Sequence, residues 1–211
     1  MEVSVFYYRF PNEQTGTITG FLKKEFLEVK GDGTSTLLQL IQNYDRVQFR
    51  LDEMKAKHAH KLDTVIPNGE IYILSQALNL SRGGKMVSLE HEKDEHLLKI
   101  FNELSLYTKQ FYYGRYDIKC TSVEDLKQGK NFSILEYNGS GAEPHHAYGN
   151  GNTLWQAQKI FLHHWKILYN ISKYNHKHGM QEWRCRRGWK GLKAARKEEN
   201  MDKGSDGETE G

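Results

Sequence analysis

The chain has 211 residues, enough for one domain with its own hydrophobic core or for part of a larger domain. No apolar run approaches the roughly 20 residues that cross a bilayer, and no signal peptide opens the chain. The two cysteines, Cys120 and Cys185, are far apart in the sequence, which argues against a disulfide framework. The net charge of +3 does not by itself indicate nucleic acid. We therefore expect a cytoplasmic protein without a membrane span, and we do not expect nucleic acid to be its partner.

Strands are predicted at the start of the chain. Aromatic and β-branched residues mark Val3–Arg9 and Thr17–Val29 as strands, and a turn-forming segment separates them. A helix is predicted over 37–44, and Thr34 or Ser35 is placed to cap its N-terminus.

The middle of the chain alternates helical and extended patterns. A polar stretch over 51–61 is predicted to be helical or irregular, and a strand follows over Glu70–Leu74. Apolar residues at three- and four-residue steps predict a helix over 91–104. Two further strands are predicted over Phe111–Lys119 and Phe132–Asn138. Because their connection is short, we expect these two strands to be antiparallel neighbours.

The longest predicted helix covers 153–177, and its apolar residues recur on one side. The predicted buried stripe consists of Leu154, Ala157, Phe161, Trp165 and Leu168. Alternating strands and helices without strict βαβ repetition predict an α+β or mixed α/β fold, and not a doubly wound sheet.

The C-terminal part of the chain changes composition. Seven basic residues and no acidic residue lie within Arg184–Lys197. Such a segment can bind an anionic membrane or nucleic acid, or it can be the solvated face of a terminal helix that docks through its few apolar residues. Residues 198–211 are rich in Gly, Glu and Asp, and we expect them to be disordered.

The candidate chemistry lies on the last two predicted strands. Side chains alternate between the faces of a strand, so Arg115 and Asp117 share a face. Glu136 and Asn138 share a face of the neighbouring strand by the same rule. Two carboxylates and an amide oxygen are ligands of the kind that Mg²⁺ prefers when it also binds nucleotide phosphates, and a guanidinium suits an oxyanion. The alternative is a surface hairpin in which both carboxylates pair with Arg or Lys.

Four motifs follow one another between residues 29 and 138. They are Val29-Lys-Gly-Asp-Gly-Thr-Ser-Thr-Leu37, Asn79-Leu-Ser-Arg-Gly-Gly84, Gly114-Arg-Tyr-Asp117 and Leu135-Glu-Tyr-Asn138. Together they resemble the C-terminal half of an ATP-grasp ligase. Within that family the sequence is most similar to D-alanine–D-alanine ligase and to the ATP-grasp part of cyanophycin synthetase. The resemblance implies an α+β fold with a mostly antiparallel sheet flanked by helices that pack on one face.

The resemblance also implies ATP and Mg²⁺ as cofactors. It implies that Asp117, Glu136 and Asn138 are metal ligands. In the same comparison Arg115 stabilises the transition state, and Glu2 takes the position of the acidic residue that binds the ATP ribose.

A lysine pair lies on the second predicted strand. Lys23 and Lys24 alternate there, so only one of them can face a nucleotide. The sequence does not say which; Lys24 is our candidate for the cofactor site.

Three loops are candidates for substrate binding. Their residues are Asp32, Ser35, Asn79, Arg82, Ser140 and Gly141. The resemblance makes the last loop the acceptor side of the site, with His145 as a further residue near the substrate. Glycines at 31 and 33 let backbone amides approach a phosphate, and Arg82 suits a substrate carboxylate. Each loop can instead be a plain turn. Residues 139–144 depart from the Pro-Gly that most ATP-grasp ligases carry after the Asn, so the substrate preference of the family does not transfer directly.

The activity implied by the resemblance is ligation of a small-molecule carboxylate to an amine or amino acid through an acyl phosphate. Residues 1–180 are predicted to form the C-terminal half of the domain, and 181–197 a basic terminal helix. By the resemblance, we expect that the N-terminal lobe, which supplies further nucleotide contacts in relatives, is missing from this sequence. The chain is then a fragment, a remnant or one half of a site completed by a partner chain, and we expect little turnover from it alone. The rival interpretation is a non-catalytic binding module that uses the basic segment.

Histidines are numerous but are not spaced as zinc ligands. The chain has ten, including His145-His146 and His163-His164. Neither pair matches a His–Cys zinc motif, so we do not expect a histidine metal centre. We expect His164 at the edge of the core.

Overall fold

The structure is a computed structural model that describes residues 1–44, 50–76, 84–148 and 151–181. The strands are β1 Glu2–Tyr8, β2 Thr17–Glu25, β3 Leu27–Lys30, β4 Ile71–Ser75, β5 Lys85–Ser88, β6 Tyr113–Cys120 and β7 Phe132–Asn138. The helices are α1 Leu37–Gln42, α2 Leu51–Lys57, α3 Glu95–Tyr107, α4 Val123–Lys127 and α5 Leu154–Lys177. Short 3₁₀ turns cover Ala59–Lys61, Glu90–Glu92 and His145–Ala147.

The chain divides into two units at residue 170. The first unit contains the seven strands given above and most of α5. The described residues of the second unit are the last turns of α5 and the turn that follows. The predicted boundaries at 180 and 197 stay predictions, and the basic segment and the tail lie outside the described residues.

The first unit is built on an antiparallel sheet of five strands in the order β5-β2-β1-β6-β7. A second sheet pairs β3 with β4, also antiparallel. The predicted α+β class with a mostly antiparallel sheet and flanking helices is confirmed.

Two apolar cores accompany the two sheets. The core of the large sheet is formed by one face of β1, β2 and β6 against α3 and α4. Its central members are Val3, Val5, Tyr7, Phe21, Leu97, Phe101, Ile118 and Leu126. The core of the small sheet contains Leu27, Val29, Leu37, Ile41, Met54, Ile66 and Leu74.

The predicted strand over Thr17–Val29 is wrong as a single element. It is interrupted at Phe26, whose residue surface is 37% exposed, and its two parts join different sheets. Leu27 and Val29 alternate with Glu28 and Lys30 as strand residues do, but they are buried in the second core. Side chains alternate between two faces in any strand, whichever sheet the strand joins, so the sequence pattern did not reveal the break.

The cap of α1 also differs from the prediction. Thr36 is the N-cap residue, and it forms a capping box with Gln39. Thr34 and Ser35 are instead held by Asp32, whose Oδ1 accepts from their backbone N–H groups at 2.9 and 2.6 Å. The N-cap is therefore the residue after Ser35, and the helix begins at Leu37 as predicted.

The buried stripe of α5 is shifted relative to the prediction. Ala157 of the predicted stripe is buried, but Leu154 and Trp165 are 79% and 64% exposed. His164 and Ile167 are buried in their place. His164 is fully buried and not at the edge of the core. Both of its ring nitrogens have partners there, which removes the main cost of burying a polar side chain. In the described part of the chain, no helix is both long enough and apolar enough to cross a membrane.

Candidate functional site

The register of β6 and β7 places the four predicted site residues together. Arg115 lies opposite Asn138, and Asp117 lies opposite Glu136. Directly opposed side chains in an antiparallel pair are close neighbours. The register shifts between Asp117 and Ile118. Both opposed pairs therefore lie between this irregularity and the loop that follows β7.

Arg115 is held by acceptors on several elements. Its Nε and Nη2 donate to the two carboxylate oxygens of Asp117 at 3.3 and 3.2 Å. Its Nη1 donates to the carbonyl oxygen of Glu143 at 3.0 Å and contacts His145 Nε2 at 3.2 Å. We assign the Asn138 amide so that its oxygen accepts from Arg115 Nη2 and its nitrogen donates to Glu136 Oε1, both at 3.2 Å. The guanidinium is therefore bonded to β6, β7 and the loop after β7.

Lys24 completes the cluster from β2. Its Nζ lies 3.1 Å from Asp117 Oδ1. Asp117 is only 4% exposed, and burial favours its neutral form, but Arg115 and Lys24 together outweigh burial and lower the pKa of the carboxyl. Lys23 pairs instead with Glu25 at 2.8 Å. The structure thus brings Lys24, and not Lys23, to the predicted cluster.

A cavity of about 450 Å³ lies beside Lys24. Its lining includes Glu2, both Lys23 and Lys24, Lys119, and Phe26 at the break between β2 and β3. Glu2 is paired in register with both Lys24 and Lys119 on the neighbouring strands. The two residues predicted to bind the cofactor therefore share one cavity at the end of the cluster.

The oxygen groups of the cluster fit a magnesium ion that arrives with phosphates. Two carboxylates, Asp117 and Glu136, are balanced by two cations, Lys24 and Arg115. Among the described residues, no group of three or more His, Cys, Asp or Glu side chains is placed to hold a metal ion by itself. Mg²⁺ commonly takes one or two carboxylates from the protein and its other ligands from phosphate and water. The donor set matches that mode and not a closed protein cage.

The other predicted site residues lie in loops. Ser140 and Gly141 are exposed in the turn directly after β7. Asp32 and Ser35 form a local turn before α1, where Ser35 Oγ donates to Asp32 Oδ2 at 2.6 Å. Hydrogen bonds from Ser35 lower the pKa of Asp32. The hydrogen bonds described for Asp32 all stay within this loop.

Asn79 and Arg82 lie outside the described residues. Their assignment to substrate binding stays a prediction.

A buried histidine pair adjoins the cluster, and sequence reasoning missed it. His146 Nε2 lies 3.3 Å from His164 Nε2, and the hydroxyl of Tyr113 lies 3.0 Å from His164 Nδ1. Burial lowers the pKa of His146 to about 4 and that of His164 to about 3. The ring of Phe6 meets His164 edge-on, with centroids 4.6 Å apart. The His145-His146 doublet was the available signal, but its partners are distant in sequence.

Comparisons with known proteins support the fold. No protein-family model and no curated protein sequence matches the chain. A solved bifunctional glutathione synthetase from Pasteurella multocida is similar, with a TM-score of 0.50 and 13% sequence identity. The match covers 78% of this chain and 24% of that protein, so the chain spans about a quarter of its length. This likeness bears on the fold alone, and it does not single out D-alanine–D-alanine ligase or cyanophycin synthetase.

Proposed function

We propose that the chain is the C-terminal half of an ATP- and Mg²⁺-dependent ligase of the ATP-grasp type, acting in the cytoplasm. The reaction joins a small-molecule carboxylate to an amine or amino acid. One observation carries this proposal: two carboxylates, an amide and two cations from β2, β6 and β7 meet on one face of the sheet. They are Lys24, Arg115, Asp117, Glu136 and Asn138.

The proposed chemistry has two steps. A carboxylate oxygen of the substrate attacks the γ-phosphorus of ATP, and ADP leaves. The amine nitrogen then attacks the carbonyl carbon of the acyl phosphate, inorganic phosphate leaves, and the amine gives up a proton. Magnesium, when bound, would neutralise the phosphate charge during the first step.

The residues of this chain have distinct roles in the proposal. Asp117, Glu136 and Asn138 offer oxygen ligands at the phosphates. Glu2 and Lys24 face the cavity of about 450 Å³, which is the proposed place of the nucleotide. The exposed turn after β7 lies next to the metal ligands, which suits the amine side of the reaction.

A separate lobe or partner chain is expected to supply the remaining nucleotide contacts. Phosphoryl transfer gains its rate from positioning and charge neutralisation, and half of a site provides only part of both. We expect the isolated chain to bind Mg²⁺–ADP with little or no turnover. Rapid amine-dependent ADP release by the isolated chain would contradict this expectation.

Calorimetric titration of the chain with ADP, with and without Mg²⁺, tests the proposal. Wild type should bind ADP only when Mg²⁺ is present. Asp117→Asn should weaken Mg²⁺–ADP binding about 10-fold or more, as loss of a group that holds or orients a metal does. Asp63→Asn removes an exposed carboxylate elsewhere and should change nothing. Magnesium-independent binding, or wild-type affinity in Asp117→Asn, would refute the metal assignment.

The competing function is a binding module that uses the basic segment Arg184–Lys197. That segment lies outside the described residues, so only its composition supports this reading. Binding through it should weaken steeply with salt, because counterions are displaced. Salt-sensitive binding of an anionic polymer without any binding of Mg²⁺–ADP would favour this alternative.

A further inference from the structure

Arg115 has no free donor in the structure. A guanidinium carries five N–H groups and accepts no hydrogen bond. Nε uses its single N–H on Asp117. Nη1 uses two, on Glu143 O and His145 Nε2, and Nη2 uses two, on Asp117 and Asn138. A phosphate or oxyanion could therefore gain a bond from Arg115 only if one of these acceptors lost its donor.

His145 fixes this arrangement from the loop after β7. Because Arg115 can only donate, His145 Nε2 must be the acceptor, and the ring proton must sit on Nδ1. That Nδ1 is buried without a partner among the described residues. The next residue, His146, is anchored by His164, so the turn that presents His145 is tied to α5.

Lys24 differs from Arg115 in its unused donors. Its ammonium has three N–H groups, and the one described contact is with Asp117 Oδ1 at 3.1 Å. Two donors therefore remain without an acceptor among the described residues. The same residue lines the cavity of about 450 Å³. Lys23 and Lys119 line it too, but Lys23 is paired with Glu25, and of the three only Lys24 has a described contact with Asp117. Lys24 can meet an anion in that cavity and keep its bond to Asp117.

We propose that Arg115 is a positioning residue, which fixes Asp117 and Asn138, and that Lys24 is the cation that contacts the phosphate of the bound nucleotide. His145 holds Arg115 in that role. This inference rests on the proposed function for its ligand, but the state of Arg115 is a property of the free chain. It departs from the role that the family resemblance implies for Arg115.

The first test uses the free chain with ¹⁵N-labelled histidine, observed by long-range ¹H–¹⁵N correlation spectra. His145, identified by the signals that disappear in His145→Gln, should be the Nδ1–H tautomer. Arg115→Lys should change the His145 Nε2 signal, whereas Lys99→Arg, an exposed substitution on α3, should leave it unchanged. A His145 that is the Nε2–H tautomer in the wild-type chain would overturn the assignment of Arg115.

The second test adds Mg²⁺–ADP to the same sample. If Arg115 stays bound to the protein, the His145 signals keep their tautomer while ADP binds. A switch of His145 to the other tautomer on binding would mean that Arg115 has turned to the ligand, which refutes the proposal.

The third test compares Lys24→Met with Lys99→Met, because methionine keeps the aliphatic stem and removes the charge. Lys24→Met should weaken Mg²⁺–ADP binding about 10- to 100-fold, the loss that follows from one hydrogen bond between charged groups. Lys99→Met should bind as wild type does. Unchanged binding in Lys24→Met would overturn the role of Lys24. If neither the wild-type chain nor any variant binds Mg²⁺–ADP, the proposed function is refuted, and so is the assignment of a nucleotide phosphate as the ligand of Lys24. The tautomer of His145 in the free chain still tests whether Arg115 is held by its partners in the protein.

Discussion

The two faces of the five-stranded sheet use the same strands in opposite ways. On one face, Val5 and Ile118 pack with Phe101 of α3 in an apolar core. On the other face, Arg115 and Asp117 of the same strand β6 are almost equally buried. The first face is stabilised by the apolar area that it removes from water. The second tolerates burial of charges only because each charge has a partner of opposite sign or a hydrogen bond.

This contrast separates a face whose residues can be exchanged for others of similar size from a face whose residues depend on one another. Truncating a buried side chain on the apolar face should lower the free energy of unfolding by the amount that a new cavity typically costs. Changes on the polar face should depend on whether the partner is still present. The following predictions address the two faces in order of decreasing effect on the free energy of unfolding.

The largest effect is expected for Phe101→Ala on the apolar face. Phe101 is fully buried, and truncating such a side chain should lower the free energy of unfolding by about 3–5 kcal/mol. Tyr107→Ala, on the exposed end of the same helix, is the control and should stay within about 0.5 kcal/mol. Urea unfolding followed by circular dichroism measures both. Equal effects would contradict the assignment of the apolar core to this face.

Gly20→Ala probes the close packing of the polar face. A Cβ at Gly20 would collide with Nδ1 of His146 and lie 2.5 Å from its Cγ. We expect a loss of about 1–3 kcal/mol in unfolding free energy. Gly139→Ala, with no heavy atom within 4 Å of the new Cβ, should have little effect.

A double-mutant cycle shows whether the cost of Gly20→Ala comes from this histidine. Combined with His146→Ala, which removes the colliding ring, Gly20→Ala should cost clearly less than it does alone. Strict additivity of the two changes would contradict the proposed contact.

The buried histidine pair should make stability depend on pH. Burial holds the pKa of His146 at about 4 and that of His164 at about 3, below their ordinary value of 6.5. As the pH falls below about 6.5, the unfolded chain binds protons that the folded chain does not. The unfolding free energy should therefore decrease by about 1.4 kcal/mol per pH unit for each histidine, until the pH reaches the folded pKa. Asp117, whose pKa is also lowered, contributes stability that is lost only below about pH 4.

Denaturant titrations between pH 7 and 5 measure this dependence. His164→Gln, which keeps hydrogen-bonding groups but does not titrate, should reduce the slope by the contribution of one proton. His91→Gln removes an exposed histidine and should leave the slope as it is. A slope that His164→Gln does not change would show that this residue is not buried in its neutral form.

The smallest effect is expected for Lys23, and the adjacent Lys24 of β2 is the comparison. The Lys23–Glu25 pair has side chains 37% and 29% exposed, so Lys23→Met should cost only about 0.2–1 kcal/mol. Lys24→Met leaves Asp117 with one cation fewer in a buried site, and it should cost more than Lys23→Met. Thermal unfolding compares the two variants. A larger loss for Lys23→Met would reverse the assignment of the two faces.

Part of the candidate site was predictable because it is local. Arg115, Asp117, Glu136 and Asn138 lie on two strands joined by a short connection, and alternation placed them on common faces. The structure brings these four side chains together as that pattern required. Their role in catalysis stays a proposal.

Other parts of the site depend on contacts between distant segments. Tyr113 and His164 are 51 residues apart, and no periodicity of either element indicates that they meet. Arg115 looked free to bind an anion, because the sequence does not show that a carbonyl 28 residues later takes one of its donors. Local patterns carry no information on such partners.

The sequence by itself determined which side chains of β6 and β7 share a face, since alternation is a property of each strand. Only the tertiary structure decided that the strand after Thr17 breaks at Phe26, that Lys24 joins Asp117, and that His164 is buried. The physical reason is that these outcomes depend on which distant group satisfies a charge or covers an apolar residue. The spacing of apolar residues along a strand or a helix does not depend on which distant residue packs against them.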